Sequence, residues 1–97
     1  MSEQEKAAYE KELEAKKLRA EARIKELQAE AQKAGDEAKA EYEERLSDLQ
    51  EKKSRLEDRL AQLRDKAEGA WQELKSGLDK AGEELESALK RAKEKLS

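Results

Sequence analysis

Between Leu46 and Ala67 the chain reads LSDLQEKKSRLEDRLAQLRDKA, with its large apolar residues at Leu46, Leu49, Leu56, Leu60 and Leu63 and Lys53 in the one gap. Alternating steps of three and four return each of these to one face of a helix, which is the spacing of a coiled-coil seam. With Leu46 at a, the d positions are Leu49, Leu56 and Leu63, and Lys53 and Leu60 take the remaining a positions. One helix cannot bury such a stripe alone, so the chain must meet a second helix, its own or another copy's. The expectation is an oligomer seam made of Leu46, Leu49, Lys53, Leu56, Leu60 and Leu63.

The composition restricts the partner elements to helices. Pro, Val, Thr and Asn are absent and Ile24 is the only Ile, while Ala, Glu, Lys, Leu, Arg and Gln dominate. Strands therefore lack their preferred residues and helices have theirs. The 97 residues make at most one small domain, and of the 35% that are hydrophobic sixteen are Ala and thirteen Leu. Ala supplies helix propensity but little buried area, so a core built from one chain is thin and association is the natural remedy.

Upstream of the leucine seam a weaker stripe runs Leu13, Ala20, Ile24, Leu27, Ala31, Ala34 and Ala38, interrupted by Lys17. The two stripes differ in register, because Ala38, Tyr42, Leu46 and Leu49 step four, four and three. That is an eleven-residue spacing, and it recurs at Leu27, Ala38, Leu49, Leu60 and Trp71. Its period of about 3.67 residues per turn is close to that of a straight helix. At Gly35-Asp36 a Gly could end one helix and Asp cap the next. Against a break, Lys33 to Glu37 pairs across it and Ala34 to Ala38 keeps the apolar step. The sequence therefore favours a continuous helix there, a rod of roughly 95 Å over residues 3–66 at about 1.5 Å per residue. A bend is expected within 68–77, where Gly69 and Gly77 fall and Ser76 with Asp79 fits a capping box. The expected fold is all-α: residues 1–67 as a long helix carrying heptads and eleven-residue repeats, with 35–36 the candidate break, then residues 68–97 as an amphipathic helix. An antiparallel hairpin or a three-helix bundle is the alternative, the bundle following if both breaks are real.

Residues 68–97 hold the second strong pattern. Trp71, Leu74, Leu78, Leu85, Leu89 and Leu96, with Ala81, Gly82 and Ala92, share one arc of a helix. Such a face packs on another helix or lies in a membrane surface with Lys75, Lys93 and Lys95 reaching to water. Glu68, Glu84 and Glu86 flank it and weaken attraction to anionic lipid.

Charge and composition exclude most chemistry. Without Cys or His the chain builds no thiolate nucleophile, His-dependent dyad or triad, or carboxylate–histidine metal site. No Gly-rich phosphate loop or nucleophile elbow is present. No enzyme activity, cofactor or metal is expected. Twenty-two Lys and Arg against 25 Asp and Glu give a net charge of −3 with the signs interleaved. The basic column Arg45, Lys52, Arg59 and Lys66 stands beside Glu44, Glu51, Asp58 and Asp65, so no nucleic-acid partner is expected. The first residues, MSEQEKAAYEKELEAKK, contain no apolar signal core, and no run reaches the ~20 apolar residues of a spanning helix. A cytoplasmic location is the expectation.

The run AEYEERLSDLQEKKSRLEDRLAQLRDKAEGAWQELKSGLDKAGEELESALKRA resembles small bacterial Lys/Glu-rich coiled-coil proteins of unassigned function. These combine a Tyr in an acidic helix, a leucine heptad run, Ala-Trp and an amphipathic tail. The resemblance covers roughly residues 38–92 and brings no catalytic residues. The eleven-residue pattern separately resembles exchangeable apolipoproteins and late-embryogenesis-abundant proteins, which implies lipid or desiccation roles. Two functions follow as expectations: a structural or interaction protein that self-associates as a coiled coil, a dimer or tetramer, or that takes a helical protein partner; and, as the alternative, a peripheral lipid-binding or stress-protective helix using the 70–96 face.

Overall fold

A computed structural model of the chain describes residues 3–66 and 70–93, the side chains of Glu3 and Lys93 excepted. Three helices, α1 (Glu3–Lys33), α2 (Asp36–Asp65) and α3 (Gln72–Lys93), run up, down and up in a bundle measuring 52 × 19 × 17 Å. Among the described residues there is no strand. The all-α expectation holds, and its three-helix form is the arrangement adopted.

The long rod is corrected. Helix α1 stops at Lys33, Ala34 and Gly35 make the whole connection, and α2 starts at Asp36. The Ala34 N–H bonds the Ala31 carbonyl at 3.3 Å, and the Lys39 N–H bonds the Gly35 carbonyl at 2.8 Å. Gly35, not Asp36, is the N-cap residue of α2; its backbone is extended (φ −70°, ψ 169°) and no side chain caps the helix. A continuous helix would keep an ionic pair across residues 33–37, which is about 0.2–0.5 kcal/mol. Folding back lays the α1 stripe on the leucine stripe of α2, and each fully buried Leu contributes about 1.5–3 kcal/mol. The non-local term is larger, so the turn wins.

The second bend is real and lies earlier than the glycines at 77 and 82. Helix α2 ends at Lys66, whose N–H bonds the Leu63 carbonyl at 3.2 Å, and α3 is helical from Gln72. Gly69 and Glu68 lie outside the described residues. Ser76 and Asp79, expected as a capping box, sit inside α3. Gly77 and Gly82 are also mid-helix, and each leaves room for a neighbour. A Cβ at Gly82 would stand 3.3 Å from Leu13 Cδ2, and one at Gly77 would stand 2.6 Å from Arg59 Nη1.

One core joins the three helices. Leu13, Ala20, Ile24 and Leu27 of α1 meet Leu49, Leu56, Leu60 and Leu63 of α2, and Leu78, Ala81, Leu85, Ala88, Leu89 and Ala92 of α3, with Trp71 at its end. Tyr9, Tyr42, Leu46 and Leu74 are partly buried against it. The small residues of α1 and α3 let the bundle close around the bulk of the α2 leucines. Outside the core, Leu18 is the exposed large hydrophobic residue among those described, at 58%.

Leu56→Ala or Leu60→Ala is expected to destabilise the fold by about 2–5 kcal/mol each, read from urea unfolding followed by circular dichroism. Gly77→Ala displaces only the tip of the Arg59 side chain, so helix propensity dominates. It is expected to stabilise by about 0.5–1 kcal/mol in the same assay.

Candidate interaction surfaces

The residues expected to meet another molecule lie inside the chain. Leu49, Leu56, Leu60 and Leu63 are buried, Leu46 is half-buried, and Lys53 stands at the margin of the seam. The Lys53 ammonium lies 3.7 Å from Glu21 Oε1 of α1 and 3.9 Å from Glu57 Oε1 of its own helix. Its charge is answered across the α1–α2 contact by Glu21. On the α3 arc Trp71, Leu78, Leu85 and Leu89 are buried and Leu74 is half-buried, while Leu96 lies outside the described residues. The arc expected to face protein or lipid is thus turned onto α1 and α2.

Charges on the flanks pair along the same three contacts. Lys17 reaches Glu57 at 3.8 Å, and Arg64 reaches Glu10 at 3.9 Å and also bonds Glu14, so α1 and α2 run antiparallel. Arg55 to Glu84 at 3.6 Å and Arg91 to Asp48 at 2.8 Å set α2 against α3 in the same antiparallel sense. Arg19 bonds Glu86 at 2.8 Å, and Lys16 stands 3.9 Å from it, between the parallel helices α1 and α3. All these pairs are solvated, so each contributes about 0–1 kcal/mol and mainly selects pairing.

Cations from other helices also take up the open carbonyls at helix ends. Lys6 Nζ donates to the Lys66 carbonyl at 3.0 Å, closing the end of α2. At the end of α3, Arg23 donates to the Ala92 carbonyl at 2.6 Å and Arg45 donates to the Arg91 carbonyl. A helix C-terminus presents unbonded carbonyls and partial negative charge, so an arginine there serves both needs. Sequence spacing could not reveal these caps, because donor and acceptor are 46 to 69 positions apart.

Near the start of α3, the Tyr9 and Trp71 rings lie 5.6 Å apart at a 35° tilt. The Tyr9 hydroxyl donates to Asp79 and reaches the Lys75 carbonyl at 3.3 Å, and the Lys75 ammonium lies 5.8 Å from the Tyr9 ring centre. Burial first, then the bond to the Asp79 carboxylate, pushes the phenol well above its ordinary value. Trp71 Nε1 is buried with no hydrogen-bond partner among the described residues.

Shallow grooves line the helix boundaries, one of about 440 Å³ between Arg59 and Lys80 and another of about 550 Å³ between Arg23 and Lys90. Both carry charges of each sign. Among the described residues no group of three or more Asp or Glu could hold a metal ion, and no helix is long and apolar enough to cross a membrane. No protein-family model matches the chain, and neither a curated protein nor a solved structure matches it. The resemblance to small bacterial coiled-coil proteins rests on the residues that carry it.

A raised phenol retains its proton in the folded state after the unfolded chain has lost it. Its contribution to stability is then fully present below about pH 10, the unfolded value, and declines as pH rises from there toward the higher folded value. Wild type is expected to lose stability more steeply than Tyr9→Phe between pH 9.5 and 11, measured by urea midpoints for the two proteins side by side.

Proposed function

We propose that the chain is a structural or interaction protein without catalytic activity, working through association of its helices with a second copy in a dimer or larger assembly. What supports this most is the α2 stripe, Leu49, Leu56, Leu60 and Leu63, a heptad-spaced seam that places the fully buried side chains of α2 at a helix–helix contact. In the closed bundle the seam is covered by α3 and by α1, whose contribution includes Ala20 and Ala31 beside Leu13, Ile24 and Leu27. A covering helix of the same sequence from another copy satisfies the seam equally well. The chemistry of the surface agrees with such a role: mixed charges in shallow grooves, with no charged residue buried among the described ones. A cytoplasmic setting fits the same reading.

Sedimentation velocity on wild type over a hundredfold concentration range, after native purification and after refolding from urea, tests this. A dimer or tetramer that grows with concentration is expected. A monomer throughout, in both preparations, would overturn self-association.

The lipid-binding or stress-protective alternative draws on the α3 arc. In the closed bundle Trp71 and Leu78 are buried, so lipid binding requires α3 to leave α1 and α2. Trp71 is the only Trp and reports this directly. Its emission is expected to be blue in the free protein and unchanged by phosphatidylserine vesicles at low salt. Quenching of Trp71 by nitroxide-labelled lipid, lost in Leu78→Glu, would instead support the lipid reading.

A further inference from the structure

The α1–α2 connection unites two observations that point in opposite directions. In sequence, Gly35 and Asp36 offer a break, but Lys33 to Glu37 and Ala34 to Ala38 speak for a continuous helix across residues 33–38. In structure, the turn is made by Ala34 and Gly35 alone, with no side-chain cap and no positive φ at any described residue. The Cβ position of Gly35 meets nothing within 4 Å. The turn is therefore held by the packing of α1 on α2 and not by its own chemistry.

We infer that Ala34-Gly35 is a hinge through which two copies of this chain exchange α1, each α1–α2 pair straightening into one helix in a domain-swapped dimer. The inference rests on the self-association reading and names its route. In the dimer each end is the bundle already described, with α2 and α3 from one chain and α1 from the other. Lys17–Glu57, Lys53–Glu21 and Arg64–Glu14 re-form between chains, because the same residues meet in the same antiparallel sense. What is gained is the helical backbone bonding of residues 34–38 and the Lys33–Glu37 pair. What is lost is the translational freedom of one chain, so exchange is favoured by concentration. The twofold axis falls beside Ala34 and Ala38, whose short side chains let two helices pass closely. The contact is the same patch on both chains and closes as a dimer, not a filament. A straightened Glu3–Asp65 helix is about 95 Å long, roughly twice the reach of one bundle.

Two substitutions at Gly35 separate hinge chemistry from packing, since both fit the open space there. Ala is a poor N-cap and the best helix former; Asn is a leading N-cap and a poor helix former. Gly35→Ala is expected to raise the dimer association constant about tenfold or more over wild type, and Gly35→Asn to lower it, by sedimentation equilibrium after refolding. To identify the contact, Glu10→Cys and Arg64→Cys are combined in the otherwise cysteine-free chain and treated with a short bis-maleimide. Circular dichroism of each variant checks that it is folded. The dimer fraction is expected to give covalent dimers on a denaturing gel and the monomer fraction internally linked chains. A dimer that yields only internally linked chains would overturn the exchange while leaving self-association standing. A wild type that stays monomeric at all concentrations overturns self-association and the exchange together.

Discussion

The leucine stripe of α2 has to be covered, and the rest of the molecule follows from how one chain does so. Four leucines spaced along one face of a 30-residue helix are buried essentially completely. Leaving them in water would forfeit several kcal/mol, more than local helix chemistry contributes at any single position. Two helices of smaller residues close on that face from either side. The α3 arc brings Trp71, Leu78 and Leu85, and α1 brings Leu13, Ile24 and Leu27 between alanines. The alternation of bulk and shortness is what allows 97 residues to form a core with few aromatics.

Polar groups are arranged around this apolar decision. Lys53, the one charged residue in the seam, meets Glu21 on the covering helix, so a shifted α1 would lose its answer. Arg23, Arg45 and Lys6 reach across to the final carbonyls of neighbouring helices. Such bonds fasten helix ends that have no glycine-based C-cap of their own among the described residues. The ends of α2 and α3 are thus tied to the fold, whereas the start of α2 at Gly35 is not.

How much of this was legible in the sequence depends on the range of the interaction. The helical content, the seam at Leu49, Leu56, Leu60 and Leu63 and the α3 arc follow from periodicity, and these residues are the core. Of the eleven-residue series, Leu27, Leu49, Leu60 and Trp71 are buried and Ala38 is half-buried, but the turn at 34–35 cuts the series and only Ala38, Leu49 and Leu60 share a helix. The break at Gly35 was not favoured, because the local signals there (Lys33 with Glu37, Ala34 with Ala38) speak for continuity and the deciding burial is non-local. Gly77, at the edge of the bend expected within 68–77, instead lies inside α3. Arg59 beside Gly77, and Leu13 and Lys16 beside Gly82, are neighbours that only the fold brings there. The Tyr9–Asp79 bond and the arginine caps join residues that no spacing rule connects.

The central claim is that one chain covers its own leucine seam by folding back at residues 34–35. Spin labels at Lys11→Cys and Asp65→Cys, in a chain without other cysteines, report this directly when diluted into excess unlabelled protein at low micromolar concentration. Pulsed electron–electron measurement is predicted to give a short separation, on the order of 10–25 Å, for neighbouring helices and label arms. In the isolated monomer fraction, a separation of about 80 Å, that of a continuous helix at about 1.5 Å per residue, would contradict the account.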